Sequence, residues 1–357
     1  MNGELKNPVC DIILLSWNKL EYTRPCIESI FRHTSLPCRL FIIDNGSEEE
    51  TKVYLKSLQS SPALQIRVIL NKENLGFVEG MNQGMKLSQA PYVCLLNNDT
   101  LVTSQWLELC LAAFKRDPTV GIVNPHSSTF GVWPKKNQTV EEVAQALVVQ
   151  YQSNPVTEIG TCVGFCMFIK REVIQKIGYL EETLHKFFFE DTDFCKRAKK
   201  VGYVCVVANQ AYVFHYEHKS FKNKKHRDQF FKKNQKWFFE KWGKPLRIFW
   251  PKQEVCTQQE QDMLTKIVRD DHFISLFLPK KVQMVWHQKH AHVSLNYHSF
   301  KRLFLFYFLW AILKKQKKPY DYIVTKDFPI LNKFSSLMKG KCVSDIREVK
   351  EFEALIR

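Results

Sequence analysis

The chain has 357 residues, of which 45% are hydrophobic and 25% charged, a composition typical of a globular protein long enough for two domains. It contains no low-complexity segment or fixed-period repeat, which argues against solenoid and propeller architectures. Its first residues, MNGELKNPVCDIILLSWNK, lack a basic region and carry only a short apolar stretch, so we do not expect a signal peptide.

The eleven cysteines lie mostly inside apolar runs, and their number is odd. No two of them have the C-x-x-C spacing that is typical of zinc sites. This pattern predicts small buried thiols in a reducing compartment, and we therefore expect a cytoplasmic protein.

The net charge of +16 is unevenly distributed. Residues 219–252 hold twelve Lys and Arg against two acids, so this segment alone carries +10. A local positive field suits an anionic partner that meets one face of the protein. Charge alone leaves nucleic acid, anionic lipid and a phosphorylated substrate open.

The first 125 residues alternate strand-like and helix-like segments. The apolar, strand-like runs cover residues 9–16, 40–43, 65–70, 92–96 and 120–123. Segments with apolar residues at helical spacing separate them, at 20–33, 48–59, 79–89 and 104–116. Such alternation predicts a mostly parallel sheet with helices on both faces.

The regular pattern breaks between residues 126 and 158, which we interpret as a mobile or acceptor-facing loop. Further strands are expected at 161–169, 203–207 and 211–214, with helices from Arg171 and over 191–201. Pro245 and Pro251 then follow a segment rich in lysines and aromatic residues. We therefore predict one domain over residues 1–245 and a second over 246–357.

The second domain is predicted to be a smaller α/β region of unknown role. Its expected strands cover 281–286 and 320–325, and its expected helices cover 298–315 and 327–338. The apolar run at 303–313 is too short to cross a bilayer. It predicts a buried helix, with a helix lying on a membrane surface as the alternative.

Polar residues follow several of the predicted strands. Asp44 precedes Asn45-Gly46-Ser47, so it either caps the next helix or offers its carboxylate to a base or ribose. The triplet Asn97-Asn98-Asp99 ends a buried strand and supplies the oxygen ligands that Mg²⁺ or Mn²⁺ prefers. A simple turn before the next helix is the alternative for this triplet.

Three acids, Glu190, Asp191 and Asp193, follow three phenylalanines. Their negative charges could simply stabilise the first turn of a helix. Alternatively, they are carboxylates held at a pocket lined by the phenylalanines, where one of them would act as general base. His215 ends an apolar strand and is either a core histidine or an additional metal ligand, with His218 as its competitor.

The order SWN, IIDNGS, NKENLGF followed by Asn82, LLNND, FFFEDTDF and VFH resembles the inverting family 2 glycosyltransferases of the GT-A fold, over about residues 8–245. The resemblance implies that Asp44 contacts the nucleotide base and that Asp99 holds a divalent metal, Mg²⁺ or Mn²⁺, on the donor diphosphate. It implies that Asp191 is the base and that His215 lies near the metal. The chain departs from the strict D-x-D motif, because asparagines occupy positions 97 and 98.

The implied reaction is a single displacement that moves a hexosyl or deoxyhexosyl group from a nucleotide sugar to a glycan, lipid-linked or protein acceptor. Glu190 and Asp193 would orient the base or the acceptor. The residues expected to bind the nucleotide sugar are Ser16, Asn18, Asp44, Asn74, Gly76, Phe77, Asn82, Asn97, Asn98 and Asp99.

Three other functions compete with sugar transfer. A non-catalytic nucleotide-sugar binder would share the binding residues. A sugar nucleotidyltransferase would be expected to have a glycine-rich loop after its first strand, where this chain reads SWNKLEYT. A nucleic-acid-binding protein would explain the basic segment but not the acids, so no nucleic acid is expected as a partner.

The basic segment 219–252 contains Phe and Trp as well as lysines, a combination that suits a membrane surface. One hypothesis is peripheral contact with anionic lipid at the inner face of the cytoplasmic membrane. The alternative is a helix that packs its aromatic residues on the domain and leaves its lysines in water.

Overall fold

The computed structural model describes residues 7–184, 188–217, 224–281, 290–298, 304–313, 319–337 and 339–352. The chain divides into two compact units, the first of Met1–Thr157 with Thr161–Trp242 and the second of Glu158–Gly160 with Gly243–Arg357. This division falls three residues before the predicted boundary at 245, while the prediction of two separate domains stays a prediction.

The first unit alternates strands and helices along most of its length. Its first half contains β1 (Cys10–Ser16), α1 (Leu20–His33), β2 (Cys38–Asp44), α2 (Glu49–Ser57), β3 (Leu64–Leu70), α3 (Phe77–Leu87), β4 (Tyr92–Asn97), β5 (Thr100–Val102) and α4 (Trp106–Phe114). Its second half contains β6 (Val120–Ser127), α5 (Val140–Gln150), β7 (Val156–Ile159), β8 (Cys166–Lys170), α6 (Arg171–Ile177), α7 (Glu190–Lys200), β9 (Val204–His215) and α8 (Lys224–Trp242).

The large sheet has the strand order β3-β2-β1-β4-β8-β6-β9-β5, with β7 beside β9. Strands β1 to β4 run parallel, and β8 is antiparallel to both of its neighbours. The central strands are apolar along almost their whole length because helices cover both faces of the sheet. Fully buried side chains such as Ile12 and Leu96 each stabilise the fold by about 1.5–3 kcal/mol.

The register of this sheet brings the polar strand ends together. Ser16 at the end of β1 is paired with Asp44 at the end of β2. On its other side β1 pairs with β4, where Leu15 lies opposite Asn97. Because parallel strands end at one edge, the residues predicted to bind a nucleotide sugar emerge side by side.

The predicted loop at 126–158 is wrong, because much of this segment is regular structure. Residues 128–130 form a 3₁₀ turn, and α5 begins at a complete capping box in which Thr139 and Glu142 hydrogen-bond each other's backbone N–H groups. Val143 and Leu147 of α5 are buried with Tyr212 of β9. The Thr-x-x-Glu signal was present in the sequence and outweighs the poor periodicity.

The second unit contains β10 (Arg247–Pro251), α9 (Gln258–Arg269), β11 (Phe273–Pro279), β12 (Val293–His298), α10 (Phe304–Leu313), β13 (Tyr322–Val324) and β14 (Lys341–Val343). The five strands among its described residues are all parallel, in the order β12-β11-β10-β13-β14. The predicted C-terminal α/β region is therefore confirmed.

Individual elements of the second unit differ from their predictions. The strand expected at 281–286 lies outside the described residues from 282 onward, and the apolar run 273–279 forms a central strand instead. The helix expected at 327–338 is a 3₁₀ helix over Pro329–Leu337. Phe308 and Ala311 of α10 are buried in a core cluster, as expected for a buried helix. In the part of the chain that the structure describes, no helix is long and apolar enough to span a membrane.

Candidate active site

Asp44 lies at the end of β2 and is fully buried. Its Oδ2 accepts a hydrogen bond from the backbone N–H of Ser47 at 3.1 Å, inside the turn that precedes α2, and no side chain caps that helix in the described part of the chain. Among the described residues, no group donates a hydrogen bond to its Oδ1. A buried acceptor without a donor is costly, so this oxygen is suited to a ligand that brings an N–H or O–H group.

The turn after β1 is tied to the turn after β2. The backbone N–H of Asn18 donates to Ser47 Oγ at 2.7 Å, and Asn18 Oδ1 accepts from the N–H of Glu48 at 2.7 Å. Asn18 and Lys19 both have left-handed backbone, with φ of 53° and 55°. This conformation is energetically unfavourable for residues other than glycine, and it recurs at functional sites. The turn is thus held in one shape beside Asp44.

Asn45 organises the loop that follows β3, and the sequence analysis missed it. Its Nδ2 donates to Asn74 Oδ1 at 3.1 Å and to the carbonyl of Gly76 at 2.9 Å. Asn74 Oδ1 also accepts from the N–H of Gly76 at 2.8 Å. The adjacent Gly46 has φ 72°, and a Cβ there would lie 2.8 Å from the backbone of Glu73. The DNGS motif therefore builds a close contact between loops rather than a simple turn.

Asp99 and His215 meet where β4 and β9 end. His215 Nε2 lies 3.2 Å from Asp99 Oδ1, and both side chains are largely buried. The His215 ring stacks on Phe165, with centroids 5.2 Å apart and planes at 14°. Its Nδ1 lies 3.0 Å from the hydroxyl of Thr129. His218 lies outside the described residues.

The Asp99 and His215 pair fits a divalent cation. Two ligands on adjacent corners of an octahedron with bonds of about 2.1 Å are about 3 Å apart, close to the observed separation. Among the described residues, no group of three or more His, Cys, Asp or Glu side chains is arranged to hold a metal. Among the described residues, a cation here would have these two as its imidazole and carboxylate ligands and would take its remaining ligands from other oxygens, such as those of a substrate or water.

The two asparagines before Asp99 have different surroundings. Asn98 Nδ2 donates to Thr23 Oγ1 at 2.8 Å, and the Thr23 hydroxyl lies 3.5 Å from Ser16 Oγ. The backbone N–H of Asn97 donates to the carbonyl of Phe165 at 2.8 Å. The buried Thr23, which the sequence analysis did not single out, therefore connects the end of β1 with the Asn97-Asn98-Asp99 turn.

Asp191 is a half-buried hydrogen-bond acceptor near the start of α7. Its Oδ2 accepts from the N–H of Gly164 at 3.0 Å, and its Oδ1 accepts from the N–H of Thr192 at 2.6 Å and from the Thr192 hydroxyl at 3.1 Å. A Cβ on Gly164 would lie 3.8 Å from both Asp191 and the Phe77 ring, so these two side chains face one spot. Loss of hydration on burial raises the pKa of Asp191.

Glu190 differs from its neighbour. It is buried, and its Oε2 has no hydrogen-bond partner among the described residues. Burial, and then the charge of Asp191, raise the pKa of Glu190 to about 8. The hydrogen bonds that Asp191 accepts from Gly164 and Thr192 favour its ionised form, whereas Glu190 Oε2 has no such donor among the described residues.

Asp193 is occupied by partners inside the fold. It is fully buried, and its Oδ2 accepts from Arg197 Nε at 2.7 Å. Its Oδ1 accepts from Trp242 Nε1 at 2.9 Å and lies 2.8 Å from Lys241 Nζ. These contacts fasten α7 to the end of α8. Asp193 is therefore positioned as a structural anchor, and the orienting role expected for it stays a prediction.

Asn82 is similarly engaged by the protein itself. Its Nδ2 donates to the carbonyl of Leu180 at 2.9 Å and to Glu182 Oε1 at 3.1 Å, and its Oδ1 accepts from the N–H of Leu180 at 3.0 Å. The side chain is almost fully buried. It joins α3 to the segment that precedes α7, while direct contact with a nucleotide sugar stays a prediction.

One short segment joins the base candidate to the metal candidates. Gly164 donates to Asp191, while Phe165 bonds to the backbone of Asn97 and stacks on His215. Asn124, buried on β6, holds this segment by donating to the carbonyls of Val163 and Cys166 at 2.9 and 2.6 Å. The carboxylate of Asp191 and the Asp99–His215 pair therefore belong to one connected site.

Comparisons with known proteins agree with this architecture. Residues 11–178, just under half of the chain, match the model of Glycosyl transferase family 2. An uncharacterized glycosyltransferase of Haemophilus influenzae is 28% identical over 101 residues, which cover 28% of this chain and 31% of that protein. A chondroitin synthase of Pasteurella multocida is 23% identical over 197 residues, which cover 49% of this chain and 20% of that protein.

Among solved structures, the mannosyltransferase PcManGT from Pyrobaculum calidifontis, in complex with GDP-Man and Mn²⁺, is 15% identical with a TM-score of 0.46. The similarity covers 60% of this chain and 59% of that one. The chain thus spans about a third of the Haemophilus influenzae relative and a fifth of the chondroitin synthase.

The family match includes every predicted site residue from Ser16 to Asp99 and ends before Glu190 and His215. The predicted fold class, a GT-A-type α/β domain followed by a smaller C-terminal α/β region, is confirmed. Residues 11–178 therefore match glycosyl transferase family 2, in agreement with the resemblance that the motifs indicated.

Proposed function

We propose that the protein is an inverting glycosyltransferase that moves a sugar from a nucleoside-diphosphate donor to a hydroxyl group of an acceptor. The observation that carries this proposal is the connection, through Gly164 and Phe165, between the carboxyl group of Asp191 and the Asp99–His215 pair. A displacement needs such a base and such a pair on two sides of one reacting centre.

The donor is expected to lie across the carboxyl ends of β1, β2 and β4. Asp44 Oδ1 would accept a hydrogen bond from the nucleotide base or ribose, since it has no donor among the described residues. The Ser16-to-Asn18 turn and the loop of Asn74 and Gly76 would enclose the nucleotide. Asp99 and His215 would hold Mg²⁺ or Mn²⁺, which when bound offsets the charge of the donor diphosphate.

In the proposed reaction, Asp191 accepts the proton of the acceptor hydroxyl. The acceptor oxygen forms a bond to the anomeric carbon, and the bond from that carbon to the diphosphate oxygen breaks with its electron pair on the leaving group. One displacement inverts the anomeric configuration. The protonated Glu190 beside Asp191 leaves the negative charge of the pair on Asp191, where the base is needed.

The proposed acceptor is a glycan, free or lipid-linked, in the assembly of a cell-surface polysaccharide. The Pasteurella multocida relative is a chondroitin synthase, a name that describes the making of a polysaccharide, and the matched region covers 49% of this chain. A protein acceptor is the alternative that the same chemistry allows.

A screen of UDP-, GDP- and dTDP-sugars tests the function. At a concentration 100-fold above its Kd, a true donor should stabilise the protein by about 2.7 kcal/mol, and this gain should depend on Mn²⁺ or Mg²⁺. Asp99→Ala should abolish the metal-dependent part of the thermal shift, while Glu172→Ala, which removes an exposed acid on α6, should not.

The same screen separates the competing functions. Stabilisation by a donor with release of its nucleoside diphosphate supports the transferase. Stabilisation without turnover, with any acceptor glycan, would identify a non-catalytic nucleotide-sugar binder. If no nucleotide sugar stabilises the protein with either metal, the proposed function is rejected.

Peripheral contact with anionic membrane through residues 219–252 is a second proposal, restricted by the structure to one face of α8. Lys225, Lys232 and Lys236 are exposed there. On the other face, Phe238 is buried against Phe189, so this aromatic residue packs on the domain. The exposed part of α8 is therefore mainly basic, although Phe231 is also 40% exposed, and the proposed attraction to lipid is mainly electrostatic.

Sedimentation with liposomes tests this contact. At low salt the protein should bind vesicles that contain phosphatidylserine and not neutral vesicles. Each lysine near the surface should contribute about 1 kcal/mol, so K232E with K236E should release the protein. No sedimentation of the wild type at low salt would rule out the membrane contact.

A further inference from the structure

The 3₁₀ turn of residues 128–130 contacts both the backbone and the imidazole ring of His215. Ser128 Oγ accepts from the N–H of His215 at 3.0 Å and donates to the carbonyl of His215 at 2.9 Å. Thr129 Oγ1 lies 3.0 Å from His215 Nδ1. Ser127 caps the turn by accepting from the N–H of Thr129 at 3.3 Å. The turn thus fixes the position of the ring from the side opposite Asp99.

The contacts of the ring define which nitrogen carries its hydrogen. Nε2 faces Asp99 Oδ1 at 3.2 Å, and an ionised carboxylate only accepts hydrogen bonds. In the absence of a cation, a neutral His215 therefore carries its hydrogen on Nε2. Its Nδ1 then accepts a hydrogen bond from the hydroxyl of Thr129.

Binding of a cation reverses this arrangement. Nε2 can coordinate a metal only with its lone pair, so the ring hydrogen must then be on Nδ1. Nδ1 in that state needs an acceptor at the place where it previously needed a donor. A threonine hydroxyl serves both states by rotating, whereas a backbone carbonyl could serve only one of them.

We propose that Thr129 is a positioning residue for the metal site, which lets His215 exchange its hydrogen bond to Asp99 for a divalent cation. The stacking of the ring on Phe165 keeps the ring plane unchanged, so the exchange needs only a shift of the hydrogen and a turn of the hydroxyl. This inference rests on the proposed function, because it concerns the same metal pair.

Titration with Mn²⁺ tests the proposal without measuring catalysis. The free Mn²⁺ signal is followed by electron paramagnetic resonance in the presence of fixed UDP or, separately, GDP. Thr129→Val keeps the shape and removes the hydroxyl, and it should weaken Mn²⁺ binding about 10- to 100-fold. Thr129→Ser restores a hydroxyl, so its Kd for Mn²⁺ should stay within about threefold of the wild-type value. This change is clearly smaller than the loss expected for Thr129→Val.

A second measurement follows the ring hydrogen directly. In ¹⁵N NMR of the histidine rings, His215 should carry its hydrogen on Nε2 in the metal-free protein. It should carry the hydrogen on Nδ1 after addition of Mg²⁺ with the nucleoside diphosphate. The metal-free thermal unfolding of both Thr129 variants shows whether each is folded before its affinity is interpreted.

The outcomes separate the inference from the proposed function. If the wild type and His215→Ala both bind Mn²⁺ equally, or neither binds it, the metal role of His215 fails and the inference fails with it. If the wild type binds Mn²⁺ through His215 but Thr129→Val binds equally well, the inference alone is overturned. A hydrogen that stays on Nε2 in both states overturns it as well.

Discussion

Asp191→Asn is expected to lower the rate of sugar transfer by about 10²–10⁴-fold, the usual contribution of a general base, while donor binding is retained. The substitution keeps the shape of the side chain and removes its ability to accept a proton. The measurement is kcat at saturating donor, together with the donor-dependent thermal shift of the same variant. Equal transfer by the wild type and this variant would contradict the assignment.

The surroundings of Asp191 define how this variant must be controlled. The wild-type carboxylate accepts from Gly164 on one oxygen and from Thr192 on the other, so an amide must turn its NH₂ group toward one of these donors. That conflict costs about 1–3 kcal/mol of stability. Thermal unfolding without ligand must therefore show that the variant is folded at the assay temperature.

Glu190→Gln is the matched comparison for the neighbouring acid. Because the pKa of Glu190 is about 8, its carboxyl is mainly protonated near pH 7, and glutamine is a close mimic of that neutral form. Its loss of transfer should be much smaller than that of Asp191→Asn. If Glu190→Gln loses more of the transfer rate than Asp191→Asn, Glu190 replaces Asp191 as the proposed base.

Asp193→Ala is expected to destabilise the protein by about 3 kcal/mol, the lower end of the range for breaking a buried ion pair. The fully buried carboxylate holds Arg197, Lys241 and Trp242. The lower end applies because Arg197 and Lys241 are 19% and 33% exposed, so both can regain water. The free energy of unfolding, from chemical denaturation, is the measurement.

Asp228→Ala is the control for this loss. Asp228 is an acid on α8 that is 51% exposed and paired with Arg227 at 3.2 Å. Removing such a surface pair should change the stability by about 0–1 kcal/mol. Should Asp193→Ala keep its stability and lose transfer, the orienting role first expected from the sequence would replace the structural one.

Much of the fold and part of the site could be predicted from residues that are close in sequence. Apolar runs alternating with helical patterns predicted the parallel sheet, and acids and amides directly after those runs predicted which edge carries the site. Asp44 and Asp99 were proposed as site residues in this way because a strand end and its polar residue are adjacent in the chain. The capping box of Thr139 and Glu142 was equally local, and the prediction of a loop overlooked it.

The sequence alone determined the order of the polar strand ends, the class of the fold and the resemblance of residues 11–178 to glycosyl transferase family 2. Only the tertiary structure decided what each acid near α7 contacts, because the partners that distinguish them come from distant segments. Asp193 is anchored from α8, 49 residues away at Trp242, whereas Asp191 is bound by Gly164, 27 residues before it. The hydroxyl of Thr129 reaches His215 across 86 residues. A hydrogen bond depends on the distance between two atoms in space, and this distance cannot be read from the spacing of residues along the chain.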